Sequence, residues 1–305
     1  MDFWIYLTLA AALFQTLRFM LQKQLATSGL SPTGATFARF VFSAPVIAVA
    51  VVVYLRASGQ ALPVAPPVFW LYAGVGGLSQ VLATVAVVAL FAERNFAVGI
   101  TFKKTEVIQT ALVGFVLLGE KVTAAALAAL LVGLAGVLLL SDPPARAGPV
   151  HNGLLLGRFL NRAAGLGLLS GVFFAFAGVG YRAASLSLES GDVALRAGLT
   201  LAVVTMGQAI GMALWLSLRA PEQLGRTLKS WRRTAMVGVT SMAGSYCWFA
   251  AFTLQTAAYV YAVGQIEVIF GFLIGILVFG ERSTVREVAG IGLLTLSIVG
   301  LILVV

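Results

Sequence analysis

The chain alternates between long apolar runs and short polar breaks along its whole length. The apolar runs cover 3–21, 33–55, 67–91, 96–118, 122–140, 163–188, 192–218, 234–254, 257–279 and 284–305. Most are about 20 residues long, which a helix needs to cross ~30 Å of hydrocarbon at 1.5 Å per residue. None shows the period-2 alternation of an outer-membrane barrel strand. The pattern predicts an all-α polytopic membrane protein of ten transmembrane helices, each satisfying its own backbone hydrogen bonds. The clearest linker is SDPPARAGPVHNG, from Ser141 to Gly153, where Pro143 and Pro144 stop the fifth helix. It divides the chain into a five-helix repeat at 3–140, a polar linker at 141–162, and a second five-helix repeat at 163–305.

Within the halves the pattern repeats. The run TEVIQTALVGFVLLGEKVT spans Thr105 to Thr123, and IEVIFGFLIGILVFGERST spans Ile266 to Thr284. Glu106 falls on Glu267, Gly114 on Gly275, Glu120 on Glu281 and Lys121 on Arg282. Five spans per half is an odd number, so two halves of one fold enter the membrane from opposite sides. The expected architecture is an inverted repeat with its pseudo-axis in the membrane plane and its site where the repeats meet.

Composition narrows the class. Of 305 residues, 60% are hydrophobic and 10% charged, and the mean hydropathy is +1.00, whereas a soluble domain carries roughly 25% charged residues. The single cysteine, Cys247, excludes an internal disulfide and a cysteine-based zinc cluster. The single histidine, His151, excludes HExxH, and no phosphate-binding GxxxxGK[ST] occurs. No metal, cofactor, ATP motor or enzyme chemistry is expected. The first run contains Gln15 and Arg18 and lacks a following cleavage site, so it reads as a span.

A net charge of +9 raises nucleic acid as a partner, but the basic residues sit in short loops. Loops after odd-numbered spans hold twelve of the twenty; loops after even-numbered spans hold only Arg56 and Lys121. The positive-inside rule then places the first set in the cytoplasm and both termini outside, in a bacterial inner membrane. Gly167/Gly171, Gly207/Gly211 and Gly271/Gly275 have the GxxxG spacing of close helix contacts, within one bundle or between copies, so monomer and homodimer both remain open.

The chemistry lies in charges at membrane depth. Glu106 lies about ten residues into the fourth span and Glu267 about ten into the ninth, both near the midplane. Charge at that depth is costly and usually functional. Lys103 shares a helix face with Glu106, and Lys104 points about 100° away. Gly264 and Gln265 stand where the first half has the lysines. On this reading Glu106 is the paired, ionised carboxylate, and Glu267 is the better proton-coupling group. The ordinary alternative is a structural ion pair with a snorkelling lysine.

Arg39 in the second span, Gln265, and the aromatics Tyr246 and Tyr261 complete the candidate binding set. Other in-span polar groups, including Gln80, Thr84, Gln208 and Ser245, would line a wet cavity or bond a neighbouring helix. Glu120 and Glu281 end their spans and read as structural turn residues, with Thr123 and Thr284 capping the helices that follow.

The duplicated GEK-T and GER-T segments, the ten spans and SPTGATFARFVFSAP with Arg39 resemble the drug/metabolite transporter superfamily, EamA-type branch. The resemblance implies a secondary transporter with a central cavity and alternating access. Such transporters often have proline where this chain has Val107 and Val268, so straighter fourth and ninth helices are expected here.

The resulting expectation is a secondary active exporter of a small organic metabolite, driven by its own gradient or by proton exchange, with membrane lipids as its surroundings. Lys103, Lys104, Glu106 and Glu267 balance formally, which favours an amino-acid-like zwitterion over a lipophilic cation or drug. The rival class is a lipid-carrier flippase or phospholipid-acting enzyme, with Lys103, Lys104 and Arg39 on a phosphate. A groove open sideways to lipid favours that rival, and a closed central cavity counts against it. A non-transporting scaffold leaves the paired glutamates unexplained.

Overall fold

The computed structural model describes residues 2–27, 29–90, 103–140, 162–279 and 284–305. These are helical, with no strand among the described residues. The first half holds α1 (Phe3–Thr27), α2 (Pro32–Ser58), α3 (Pro67–Leu90), α4 (Glu106–Leu118) and α5 (Ala124–Leu140). The second holds α6 (Arg162–Ser187), α7 (Val193–Arg219), α8 (Pro221–Lys229), α9 (Trp231–Leu254), α10 (Ala257–Gly264), α11 (Ile266–Phe279) and α12 (Val285–Val304).

Among the described residues, seven helices are long and apolar enough to cross a membrane: α1, α2, α3, α6, α7, α9 and α12. The shorter apolar α4, α5 and the α10–α11 pair take the remaining places in the ten-span pattern. Large apolar side chains point outward from them, such as Leu112, Phe115 and Val116 on α4. In hydrocarbon this costs nothing. Helix α8 is polar and is not a span. Its Gln223 Oε1 accepts from the Ser31 backbone N–H at 2.8 Å, and Arg226 donates to the Gly29 carbonyl at 3.1 Å. It therefore ties the start of α2 to the second half.

The helix pairing carries the symmetry. Helix α5 packs on α12, α2 on α7, α3 on α6 and α1 on α9. By span number these pairs are five with ten, two with seven, three with six and one with eight. Exchanging the halves returns the first two pairs to themselves and swaps the last two. Small residues allow the closest approaches. A Cβ on Gly136 would lie 2.9 Å from the Gly290 carbonyl oxygen, so α5 and α12 meet backbone to backbone.

The local signals act as their chemistry predicts. Thr284 caps α12 in a reciprocal box with Glu287, and Thr123 Oγ1 accepts from the Ala126 N–H at 3.1 Å. Glu120 pairs with Arg182, whose Nη1 also donates to the carbonyls of Phe252 (2.7 Å) and Gln255 (2.8 Å). That is a structural clamp at the end of α6. Glu281, Arg282 and His151 lie outside the described residues.

One expectation is overturned. The ninth span is not one unbroken helix: Gln265 interrupts it, and in the fourth span the described residues Lys104–Thr105 are non-helical just before α4. No proline is involved. At the second break the ladder tightens to three-residue spacing, with Gln265 N bonded to the Ala262 carbonyl at 3.2 Å and Val268 N to that of Gln265 at 2.9 Å. The packing supplies a reason: the Trp248 indole lies so close to Gly264 that a Cβ there would fall 2.3 Å from Cη2.

Candidate functional site

Each break restarts a helix at its glutamate. Glu106 is the first residue of α4 and Glu267 the second of α11. A carboxylate in the first helical turn faces the positive end of the helix dipole and its unpaired N–H groups. Discontinuous helices at the repeat interface are a recurrent way to build transport sites. Here both breaks carry acids.

Around them lies a network that joins the halves. Lys103 Nζ donates to Glu106 Oε1 at 3.1 Å and sits 3.5 Å from Glu267 Oε1. Lys104 Nζ makes a close ion pair with the same Glu267 oxygen. Gln15 Nε2 on α1 donates to Glu267 Oε2. Glu267 is therefore not the carboxylate without a cation. The lysines that lie three and two residues before Glu106 in sequence reach across the interface to it. Sequence offset hid this, because the pairing spans more than half the chain. Glu106 has one lysine partner, and its Oε2 is buried without any.

Arg39 is buried on α2. Its Nη1 donates to Thr84 Oγ1 at 3.0 Å and its Nη2 to Ser245 Oγ at 3.2 Å, while Nε is unpartnered. Arg39, Lys103 and Glu106 line one internal cavity with Gln15, Gln80 and Ser245. Phe174, Trp248, Phe252 and Tyr261 form its aromatic side. Lys103 Nζ stands 5.0 Å from the Phe174 ring centroid, within cation–π range. The Tyr261 hydroxyl donates to the Phe174 carbonyl at 3.0 Å. The free volume is about 20 Å³, room for roughly one water.

Two expected site residues fall elsewhere. Tyr246 lines a separate 260 Å³ vestibule with Tyr54, Val51, Gly198 and Met242. Gln265 is buried at the break, with its amide against Gly133 of α5. Sequence reasoning also passed over Arg18 and Gln22. Arg18 is 2% exposed; it donates to Gln22 Oε1 at 2.8 Å and to Gln15 Oε1 at 3.5 Å. Gln15, Arg18 and Gln22 recur at helical spacing, a polar stripe visible in the sequence.

A larger groove lies between α3 and α7. It encloses about 680 Å³, is floored by Gly74, Gly77, Gly207 and Gly211, and is flanked by Trp70 and Trp215. Gln208 is the polar group in its wall from α7, and among the described residues no lysine or arginine lines it.

The EamA-like transporter family model matches the chain twice, over residues 2–142 and 161–303. The chain belongs to that family. It is an integral membrane transporter built from two EamA repeats. A crystal structure of another protein shares the fold, with a TM-score of 0.69 over 99% of this chain and 96% of that one, at 16% identity. No curated protein matches.

Proposed function

We propose that this EamA transporter exports a small organic metabolite across a bacterial inner membrane, by alternating access around the Lys103–Glu106–Glu267 site. The carrying observation is the ion pair that crosses the repeat interface, Lys104 to Glu267. A cavity of about 20 Å³ is far below the ~300 Å³ or more of a small-molecule site. Admitting a solute requires the halves to separate there, which strains that pair. A solute that replaces its partners lowers the cost of opening, and one with no such groups leaves buried charges stranded. Coupling then follows from competition between solute, protons and the lysines for two carboxylates. Glu106 Oε2 is the free oxygen in this arrangement, so the coupling role moves from Glu267 to Glu106.

The vestibule beside Tyr54 and Tyr246 supports a route. It shares Ile47 and Met242 with a closed polar layer formed by Arg39, Gln80 and Ser245, and that layer shares those three residues with the central cavity. By the positive-inside count this route opens outside the cell, as an exporter needs.

The flippase reading draws on one observation, the lateral groove. Its walls are mostly apolar, and of the cations that would hold a phosphate Arg39 and Lys103 line the central cavity instead. Flux into proteoliposomes over amino acids, nucleobases, organic acids and quaternary amines, with and without a pH gradient, tests the transporter reading. Saturable flux that disappears in the Glu106→Gln/Glu267→Gln double variant is expected. Lipid scrambling without solute flux would favour the rival.

A further inference from the structure

Four cations are buried together among the described residues: Arg18, Arg39, Lys103 and Lys104, each 4% exposed or less. Two carboxylates accompany them, Glu106 and Glu267, and the lysines take both. The hydrogen-bond partners of the two arginines are neutral side chains. Arg39 binds two hydroxyls and keeps an unpartnered Nε; Arg18 binds two amides and lies 4.3 Å from the Phe19 ring centroid. The other described acids are elsewhere. Glu120 is held by Arg182, Asp192 caps α7, Glu287 caps α12, and Asp2, Glu189 and Glu222 are exposed. The described interior therefore carries a surplus of two positive charges.

Such a surplus is costly in a region with space for about one water, because desolvated charges need counter-charges. A zwitterion brings no net charge to offset it, and a cation makes it worse. We propose that the transported solute is an organic anion, a mono- or dicarboxylate with an aromatic or apolar body, whose carboxylate is received at Arg39. This rests on the central cavity being the transport site. Arginine suits a carboxylate because its fork matches two oxygens, and Arg39 has an unused N–H beside the cavity. Phe174, Trp248, Phe252 and Tyr261 are the surface for the apolar body. The four-charge balance that pointed to a zwitterion left out both arginines.

A matched ligand series isolates charge from shape: phenylsuccinate, 3-phenylpropionate, phenylalanine and phenethylamine, with net charge rising stepwise from two negative to one positive. Binding to the purified full chain is read as thermal stabilisation. The expected apparent Kd rises in that order, by about tenfold per charge step. Arg39→Gln should shrink the difference between phenylsuccinate and phenylpropionate, and Arg39→Lys should keep most of it. Tightest binding of phenylalanine or phenethylamine, equal binding of all four, or a folded protein that binds none overturns the proposal. Proteoliposome flux separates the two claims. Charge-ordered binding without flux breaks the transport reading alone, while flux restricted to zwitterions breaks the anion assignment alone.

Discussion

Glu106 and Glu267 occupy the same place in two copies of one segment, yet their surroundings differ. Glu106 has a single lysine three residues before it and a buried oxygen with no partner. Glu267 has two ammonium groups and an amide, all supplied by the other half. Duplication reproduced the helix break and the acid at its start. It did not reproduce the lysines, which exist only in the first copy and serve both. The second glutamate thus depends on its pseudo-symmetric partner for its counter-charge. This makes it a connector between halves, whereas Glu106 is bound within its own.

The largest effect should come from cutting that connector. Glu267→Gln leaves Lys104 buried without its carboxylate, and stranding one member of a buried pair costs about 3–5 kcal/mol. A thermal or denaturant melt of purified protein should show a large loss. Adding Lys104→Met should restore much of it, since no buried charge is then stranded. If the double variant is no more stable than Glu267→Gln alone, the ion pair is not what holds the halves. Transport should be lost in both variants.

Glu106→Gln should cost less. Lys103 retains a carboxylate 3.5 Å away at Glu267, so its charge is not left alone. The expected loss is about 1–3 kcal/mol, the range for one unmade hydrogen bond to a charged group. Its effect on pH-driven flux should be larger than its effect on stability. Equal destabilisation by both single substitutions would erase the asymmetry described above.

Much of this could be seen in the sequence, and the remainder has physical reasons for being hidden. The apolar runs and the duplicated segments indicate ten spans in two inverted sets, because hydrocarbon leaves the backbone few options. Glu106, Lys103, Arg39 and Tyr261 do line one cavity, with Glu267 and Lys104 in its adjoining network. The breaks were not visible. They lack proline, and they coincide with contacts made far along the chain, such as Trp248 against Gly264. Arg18 was visible as part of a polar stripe, but its importance appears only when the buried charges are counted together. Tyr246 shares α9 with Phe249, yet Tyr246 lines the vestibule and Phe249 the cavity.

Gly264 tests whether packing sets the second break. Gly264→Ala places a methyl group against the Trp248 indole, which stacks on Phe252 with centroids 5.7 Å apart. The indole must swing toward the cavity or the break must shift, at a cost of about 1–3 kcal/mol. Reduced ligand affinity with retained fold is the expected result. The equivalent Lys103 position has no glycine, so no parallel substitution exists in the first half. A melting temperature and affinity unchanged by Gly264→Ala would show that the break does not need this contact.

The smallest effect should come from Asp192, at the mouth of the vestibule. It caps α7 by accepting from Ala194 N at 2.8 Å and Leu195 N at 3.1 Å, and it also accepts from Tyr54 Oη at 2.6 Å and Gln60 Nε2 at 2.7 Å. Tyr54 and Gln60 belong to the first half, so this is a further cross-half connection, an exposed one made by neutral donors to a carboxylate. The bonds from Tyr54, then Gln60, hold the Asp192 carboxyl below the usual carboxylate range. A depressed acid contributes stability that is fully present above its ordinary pKa of ~3.9 and is lost as pH falls through its lowered value. Between pH 5 and pH 8 its contribution should stay constant. Asp192→Asn keeps a capping oxygen, and the two residues cap about equally well, so the loss at pH 7 should stay under about 1 kcal/mol. Melting both proteins at pH 7 and near pH 3 checks the sign: the small excess of the unsubstituted protein should be present at the first and diminished at the second. An excess that grows on acidification would mean that the carboxylate is repelled where it sits, and the outer connection would then hold the halves by shape alone.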